Sequence, residues 1–466
     1  MHWRVFSLDL QSNHVWRQTQ TQTQINNFYA EDFCILNPRI NSRGVTDGIY
    51  RMEFPLHQWS TAALYRIFGP GVRLSRIFNF LISILTALGI YYLSKSIFQN
   101  KKQQIGLIAF HCLLFAPSFY YYSLCPMPDN LALCFGTWGL YASVAWMKKG
   151  TPLPLFLASI LLALAALVKL PFILYYCFPG IYIISKVKKK PNPSIKAALI
   201  FLLFIMPVFV WYIAVIPAWQ GNGIVHGILS EHTNWRDNLY WLFGNISSTL
   251  PELILGYASV PLFLIGSYAY FKDKQIITPH LRLPFLALLI VCCMYVVFEI
   301  NMITTIHDYY LFPLYPLAIL TVAAGAAYLL QRGSTTSLAL LMICLIALPI
   351  TTHLRMKIRW RPDRLGFPPA LLHQQKELQA IGQKDDLWVV GNDISRHIFL
   401  YYINRKGWTY HENQLSAADL NSMIANGATY LLSDSRATDT KPELQPMLDS
   451  LILEAGTLRV FVLRKR

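Results

Sequence analysis

Acidic side chains are scarce in this chain. It has 24 aspartates and glutamates among 466 residues, against 40 lysines and arginines. Charge of either sign is low, at 14%, where soluble domains carry about 25%. Hydrophobic residues make up 54%, and the mean hydropathy is +0.37. This excludes a soluble protein, and the apolar mass is too large for a single anchor. The eight cysteines show no CxxC and no paired spacing, which supports neither a zinc site nor a disulfide framework. Seven of them (Cys112, Cys125, Cys134, Cys177, Cys292, Cys293, Cys344) fall in or beside apolar runs and read as small buried hydrophobes. Only Cys34 lies in a clearly aqueous stretch. Residues 365–466 contain no Gly-rich phosphate loop and no triad spacing. The opening MHWRVFSLDLQSNHVW lacks the apolar core of a signal peptide.

What is present is a series of ten apolar runs, at about 74–94, 104–123, 129–147, 152–168, 170–185, 197–218, 251–271, 283–301, 311–330 and 337–353. A bilayer core needs about 20 residues per helix. The runs 152–168 and 170–185 are short and meet at Lys169-Leu170-Pro171, which predicts a tight hairpin. The net charge of +16 would point to nucleic acid in a soluble protein. Here it sits largely in alternate short loops: Lys95, Lys101 and Lys102; Lys148 and Lys149; KVKKK (186–190) with Lys196; Lys272, Lys274 and Arg282; then Arg332. Basic loops stay cytoplasmic. No nucleic-acid partner is expected.

That orientation puts residues 1–73, the CPMPD turn, Lys169, the 219–250 loop, TTIHDYY (303–310) and all of 354–466 on the far, extracytoplasmic side. A chain starting there without a preceding helix predicts that a first crossing is missing from this sequence. No apolar run carries an acid at mid-depth, since Glu299 and Asp129 sit at outer ends. This argues against an ion-coupled transporter with a midplane carboxylate site. His111, inside an apolar run, reads as a packed core histidine.

Three regions follow: a first outer loop (1–73), a membrane bundle (74–353) and an extracytoplasmic C-terminal domain (365–466). In the loop, TQTQTQINNFYAEDF predicts an interfacial helix. FPLHQWSTAALYRIF (54–68) predicts an amphipathic helix with Trp59 and Tyr65 as interface aromatics. In the C-terminal region, LWVVGND (387–393) reads as a strand and 395–406 as a helix. Residues 416–427 form a helix capped by Ser416 with Asp419 at N3. Residues 428–434 read as a strand, 443–452 as a helix and 457–465 as a last strand. The alternation implies a small α/β domain. The fold class is therefore mainly α, a polytopic helical bundle with a small C-terminal α/β soluble domain.

Several stretches together resemble a known class: WRQTQTQTQINNFYAEDFCILNPRI (16–40), MEFPLHQWSTAALYRIFG (52–69), GVRLSRIFNFLISILTALGIYYLSKSIF (71–98), CPMPDNLALCFGTWGLY (125–141), LALAALVKLPFIL (162–174) and HDYYLFPLYPLAIL (307–320). They are similar to GT-C glycosyltransferases of family 39, the protein-mannosyltransferase-like and aminoarabinose-transferase-like membrane enzymes. The resemblance covers residues 9 to about 353. It implies a GT-C-like bundle and transfer of a sugar, with inversion, from a polyprenyl-phosphate carrier to a lipid, protein or glycan acceptor outside the inner (plasma) membrane. The chain departs from the family in its first loop. Trp16-Arg17-Gln18 stands where the family has an acidic pair, Gln20 where some relatives have aspartate, and Glu53 where the family has lysine.

Such transfer needs a base for the acceptor's proton and positive charge for the departing phosphate. The carboxylates of Asp129, Asp9 and Glu53 are the catalytic candidates. Arg17, Lys169 and His307 are candidates for phosphate, and Tyr309, Tyr310 and Trp16 for stacking on sugar rings. Gln18, Gln20 and Asp308 complete the expected binding set. A divalent metal (Mg²⁺ or Mn²⁺) on Asp129 is an open alternative, because hard cations prefer oxygen ligands. Bland readings stand beside these: Asp129 as a helix-start charge, Lys169 as a snorkelling interface lysine, His307 and Asp308 as a polar turn, and Asp9 as a plain loop acid. Two other functions also remain open, an inactive assembly relative and a lipid-linked glycan transporter.

Overall fold

The computed structural model describes residues 2–218, 226–230, 233–305, 307–361, 364–411 and 414–464. The chain divides into two compact units. Residues 219–225 and 231–232 of the 219–250 loop, and residue 306 of TTIHDYY, lie outside the described residues.

The larger unit comprises Met52–Phe54 and Arg76–Trp360. Among the described residues, six helical stretches are long and apolar enough to cross a membrane: Val72–Ile97, Leu170–Val187, Pro191–Ala218, Pro279–Phe298, Asp308–Arg332 and Thr335–Trp360. The chain is a multi-pass membrane protein. The other apolar runs also form helices, but shorter or less apolar ones. Run 104–123 breaks into Lys102–Leu114 and Pro117–Tyr122, because Pro117 has no N–H with which to continue the helix. Run 251–271 breaks into Leu250–Leu253 and Val260–Lys272, and Gly256 and Tyr257 between them take φ of 57° and 58°. The Pro152–Val168 helix has 17 residues. Pro128–Lys149 has 22 but is diluted by Asn, Thr and Gly. The chain turns at Lys169, whose backbone is extended (φ −152°, ψ 111°), into a 3-10 segment, Leu170–Tyr176.

Small residues allow close helix crossings, as they do generally in membranes. Gly266 and Gly325 meet where Val260–Lys272 crosses Tyr315–Arg332. A Cβ on Gly266 would lie 1.8 Å from the Thr321 carbonyl oxygen, and one on Gly325 would lie 2.0 Å from that of Leu262.

The two ends of this unit differ. At one end the basic loops gather. Phe98 bridges Ile277, Thr278 N–H donates to Ile97 O at 3.3 Å, Lys101 Nζ donates to Leu330 O at 2.9 Å and Lys148 Nζ to Ser96 O. At the other end, Arg76 Nη1 donates to Leu124 O at 2.8 Å. Asn79 and Asn130 both donate to Tyr122 O, at 2.9 and 2.8 Å. The 122–125 turn is thus fixed by buried side chains just ahead of Asp129. The Pro128–Lys149 helix runs from this end to the basic one, about 33 Å at 1.5 Å per residue. The expected segregation of basic loops from the CPMPD turn is present in the fold.

The smaller unit comprises Met1–Arg51, Pro55–Ser75 and Arg361–Arg466, so it joins the first loop to the C-terminal region. Its five-stranded sheet has the order β2-β1-β3-β5-β4: β1 is Leu387–Gly391, β2 Lys406–Thr409, β3 Ala428–Ser433, β4 Leu448–Ala455 and β5 Leu458–Leu463. β1 runs parallel to β2 and β3, while β5 is antiparallel to β3 and β4. One face packs Trp388, Val390, Leu432 and Val460 against Phe399 and Tyr402. The other packs Val389 and Leu431 against Leu420 and Leu444. The helix Ala417–Ala425 has the expected capping box between Ser416 and Asp419. Two expectations are corrected. Residues 448–452 of the predicted helix 443–452 belong instead to strand β4, which pairs with β5. Within the predicted helix 395–406, only Ile398–Tyr402 is helical, and Lys406 opens β2.

The first-loop helices are Val15–Ala30 and Leu56–Phe68. The first carries a run of buried polar side chains, Gln18 to Gln24. Each must find partners once water is gone. Gln22 Nε2 donates to Tyr65 Oη at 2.8 Å, Gln58 Nε2 to Gln24 Oε1 at 3.0 Å, and Asn27 Nδ2 to Arg39 O at 2.9 Å. Tyr65 is therefore not an interface aromatic. It is 1% exposed, and its hydroxyl also donates to Gly71 O at 2.8 Å.

Candidate active site

The sequence-derived candidates fall into both units, and each group is described within its own. In the smaller unit Asp9 accepts hydrogen bonds from Leu10 N–H at 2.7 Å and Tyr401 Oη at 2.8 Å. Arg17 is buried and donates to Gln20 Oε1. Gln18 Nε2 donates to Asn13 O at 3.0 Å. Trp16 stands edge-on to His14 at 6.4 Å. Where the resemblance implies an acidic pair, the chain has a cation bonded to an amide. Burial lowers His397 to about 3, aided by the positive charges of Arg17 and Arg396.

The larger unit brings together residues far apart in sequence. Asp129 is the second residue of the Pro128–Lys149 helix, where a negative charge suits the helix dipole. It is 2% exposed, and its Oδ1 lies 3.5 Å from Lys169 Nζ. The same ammonium stands 5.6 Å from the Tyr309 ring centroid and 5.4 Å from that of Tyr310, within cation–π range. Tyr309 Oη and His307 Nδ1 are 2.9 Å apart. The His307 ring lies 5.0 and 4.9 Å from the Tyr309 and Tyr310 rings. Three of the predicted residues, Asp129, Tyr309 and Tyr310, thus surround Lys169, and His307 packs on the two tyrosine rings.

Glu53 is 7% exposed, and its neighbours tie it to the same end of the unit. Phe54 N–H donates to Leu167 O at 3.3 Å, two residues before Lys169. Trp211 Nε1 donates to Met52 O at 2.9 Å. Asp308 turns to a different set of partners. It accepts from Tyr122 Oη and from Trp360 Nε1 at 3.0 Å, and lies 3.8 Å from Arg359 Nε. Arg359 and Arg355 also flank Glu252, at 3.8 and 3.6 Å. Asp308 anchors the end of the bundle, while the adjacent Tyr309 and Tyr310 face Lys169.

Sequence reasoning placed Glu299 at an outer end but did not count it as a site residue. It follows the Pro279–Phe298 span and is 6% exposed. Burial pushes its carboxyl up to about 7, against the opposing pull of the Lys169 ammonium. The basic run HLRMKIRWR (353–361) also went unremarked, although it supplies Arg355 and Arg359. A basic run on the side that the loop charges assign to the outside, against the usual charge bias, was the available signal. Among the described residues no three His, Cys, Asp or Glu side chains form a metal set. One Asp129 oxygen faces the Lys169 ammonium.

Beside this end lies an apolar groove of about 460 Å³. It is lined by Leu250, Pro251 and Ile254, which flank Glu252, and by Phe263, Val296 and Leu317.

Residues 53–211 match the family model described as dolichyl-phosphate-mannose-protein mannosyltransferase. The matched stretch, roughly a third of the chain, contains Glu53, Asp129 and Lys169. In structure the chain is similar to ArnT from Cupriavidus metallidurans in the apo state, with a TM-score of 0.64 at 14% identity, covering 99% of this chain and 96% of that one. The same protein bound to undecaprenyl phosphate gives 0.62 at 13%, with coverage of 99% and 96%. The apo oligosaccharyltransferase of Archaeoglobus fulgidus gives 0.61 at 10%, covering 91% of this chain and 66% of that one. This is the GT-C fold. Among curated proteins none matches this chain in sequence. The GT-C expectation is borne out at the level of fold, in a chain whose identity to these structures is low throughout.

Proposed function

We propose that this chain is a membrane glycosyltransferase. It moves a sugar from a polyprenyl-phosphate carrier to a lipid, protein or glycan acceptor, on the extracytoplasmic face of the inner (plasma) membrane. The observation that carries this reading is the Lys169 cluster. One largely buried cation lies against a carboxylate and two tyrosine rings, at the end of the helical unit opposite its basic loops.

Lys169, rather than a metal ion, supplies positive charge to the departing phosphate. Asp129 holds the lysine in place and accepts a hydrogen bond from the acceptor. Tyr309 and Tyr310 offer flat faces to a sugar ring, and His307 fixes the Tyr309 hydroxyl. The apolar groove suits the isoprenoid chain of the donor, and Arg355 and Arg359 stand where its phosphate would approach. The matched family and the undecaprenyl-phosphate complex of ArnT support a donor of this kind.

The test uses the purified full chain in lipid nanodiscs, with polyprenyl-phosphate hexoses and pentoses as donors. Release or transfer of sugar is expected. Asp129→Asn and Lys169→Ala each lower it about 100-fold or more, with the protein still folded. Full turnover by both variants overturns the assignment.

The Arg17–Gln20 pair favours a second reading, an inactive relative that binds the lipid donor and assists assembly. In that case the wild type binds polyprenyl phosphate but releases no sugar.

A further inference from the structure

The 16–18 stretch of the first loop lacks the acidic pair that the resemblance implies, and Asp129 is engaged by Lys169. The acceptor's proton therefore needs another destination. We propose that Glu299 is the base; this rests on the transferase reading above.

Glu299 sits at a helix terminus. It caps the Arg282–Phe298 helix, its N–H donating to Tyr295 O at 2.9 Å. Its own carbonyl accepts from Met302 and Ile303 N–H, at 2.9 and 3.0 Å, and His307 N–H donates to Met302 O at 2.8 Å. One hydrogen-bonded path thus runs from Glu299 to the His307–Tyr310 segment. A second tie closes the loop, for Tyr295, one turn before Glu299, donates its hydroxyl to Tyr310 O at 2.9 Å. The backbone of Glu299 is held rigidly against the segment that packs on Lys169.

Its side chain is the second observation. Glu299 is 94% buried, and among the described residues its Oε2 has no hydrogen-bond partner. A buried carboxylate oxygen without a partner costs on the order of 1–3 kcal/mol. Such a group is retained where a ligand completes it. Lys169 is within electrostatic reach of Glu299, while Asp129, Tyr310 and Cys292 are within reach of the adjoining Tyr295. The Trp235–Gly244 helix packs on the Ile300–Thr305 helix and brings Arg236, Asp237 and Tyr240, all exposed. The 227–229 turn brings no titratable side chain. Tyr175 and Cys177 are within electrostatic reach of Cys292, two turns before Glu299 on the same helix.

The acceptor hydroxyl's oxygen forms a bond to the anomeric carbon, and its proton passes to the Glu299 carboxylate. The bond from the anomeric carbon to the phosphate oxygen breaks, and its electron pair leaves with polyprenyl phosphate, whose charge faces Lys169. Glu299 then returns its proton to water.

Glu299→Gln and Glu299→Asp are measured in the nanodisc assay, as turnover against pH. In the wild type the rate falls as the pH drops below about 7. Glu299→Gln is expected to lower turnover by about 10²–10⁴-fold, to change the donor KM by less than about threefold, and to remove that acidic limb from the residual rate. Glu299→Asp keeps the limb and part of the rate. A purely structural glutamate would change melting and leave the limb in place. Glu299→Gln turnover within about threefold of wild type, or a slow variant that keeps the wild-type limb, overturns the proposal. If Lys169→Ala is dead in that same experiment, the transferase reading stands and only the base assignment falls. If the wild type releases no sugar from any donor, the transferase reading fails and the base falls with it.

Discussion

The two ends of the helical unit use positive charge in opposite ways. At the basic end, Lys101 and Lys148 are exposed and donate to carbonyls at the ends of neighbouring helices, Leu330 and Ser96. There a lysine answers the helix dipole and stays wet. At the other end Lys169 is largely buried, faces a carboxylate, and lies against two aromatic rings. Arg359, itself exposed, bridges the buried carboxylates of Asp308 and Glu252. Exposed charge sets orientation and is cheap to remove. Buried charge is costly, must be paired, and marks the end where chemistry is concentrated.

The largest contrast should appear in turnover. Lys169→Ala is expected to lose about two to three orders of magnitude, while Lys148→Ala in the same assay stays near wild type. Equal losses from both would erase the distinction between the ends. Next comes Asp308. Asp308→Ala strands the Tyr122 hydroxyl and the Trp360 N–H and leaves Arg359 with one carboxylate. A loss of about 3 kcal/mol is expected, read as a lowered midpoint of unfolding in nanodiscs. A stability unchanged from wild type would show that this network is not structural.

Much of this was legible in the sequence. The apolar runs gave the helices, and the alternation of basic loops placed Asp129, Lys169 and His307 at one end, because helix length and loop charge are local properties. Ser416 and Asp419 gave their cap for the same reason. β4 was not legible. LDSLILEA is half exposed at the sheet edge, and only pairing with β5 decides between helix and strand. The helix Val15–Ala30 was legible as a helix but not as a buried one. Glutamine and threonine read as surface residues until Tyr65, Gln58 and Arg39 supply partners from elsewhere in the chain. The network of Glu252, Arg355, Arg359 and Asp308 spans more than a hundred residues, and no local pattern announces it.

Acidification separates the site from the smaller unit. His397 is buried and neutral, its folded pKa held near 3 by burial and by Arg17 and Arg396, against about 6.5 unfolded. The unfolded chain therefore binds this proton first. The stability that His397 contributes is complete above about pH 6.5 and falls as the pH drops toward 3, by about 2 kcal/mol at pH 5. His397→Gln should flatten the unfolding midpoint of this unit between pH 7 and 5, yet leave the rate limb assigned to Glu299 untouched. If the variant removes the rate limb as well, acid inactivation is unfolding rather than protonation of the base.

The smallest effect is expected at the basic end. Lys101→Gln gives up one exposed hydrogen bond to Leu330 O and a share of the charge at a helix terminus. A change within about 0.5 kcal/mol follows, and it should shrink further in high salt, which screens exposed charge within about 10 Å at 0.1 M. The loss at Asp308 should respond far less to salt, because its Tyr122 and Trp360 partners are buried and uncharged. A salt-insensitive loss of more than about 1 kcal/mol at Lys101 would mean that the basic end is held by buried charge too. The division between an orienting end and a reacting end would then have to be drawn elsewhere.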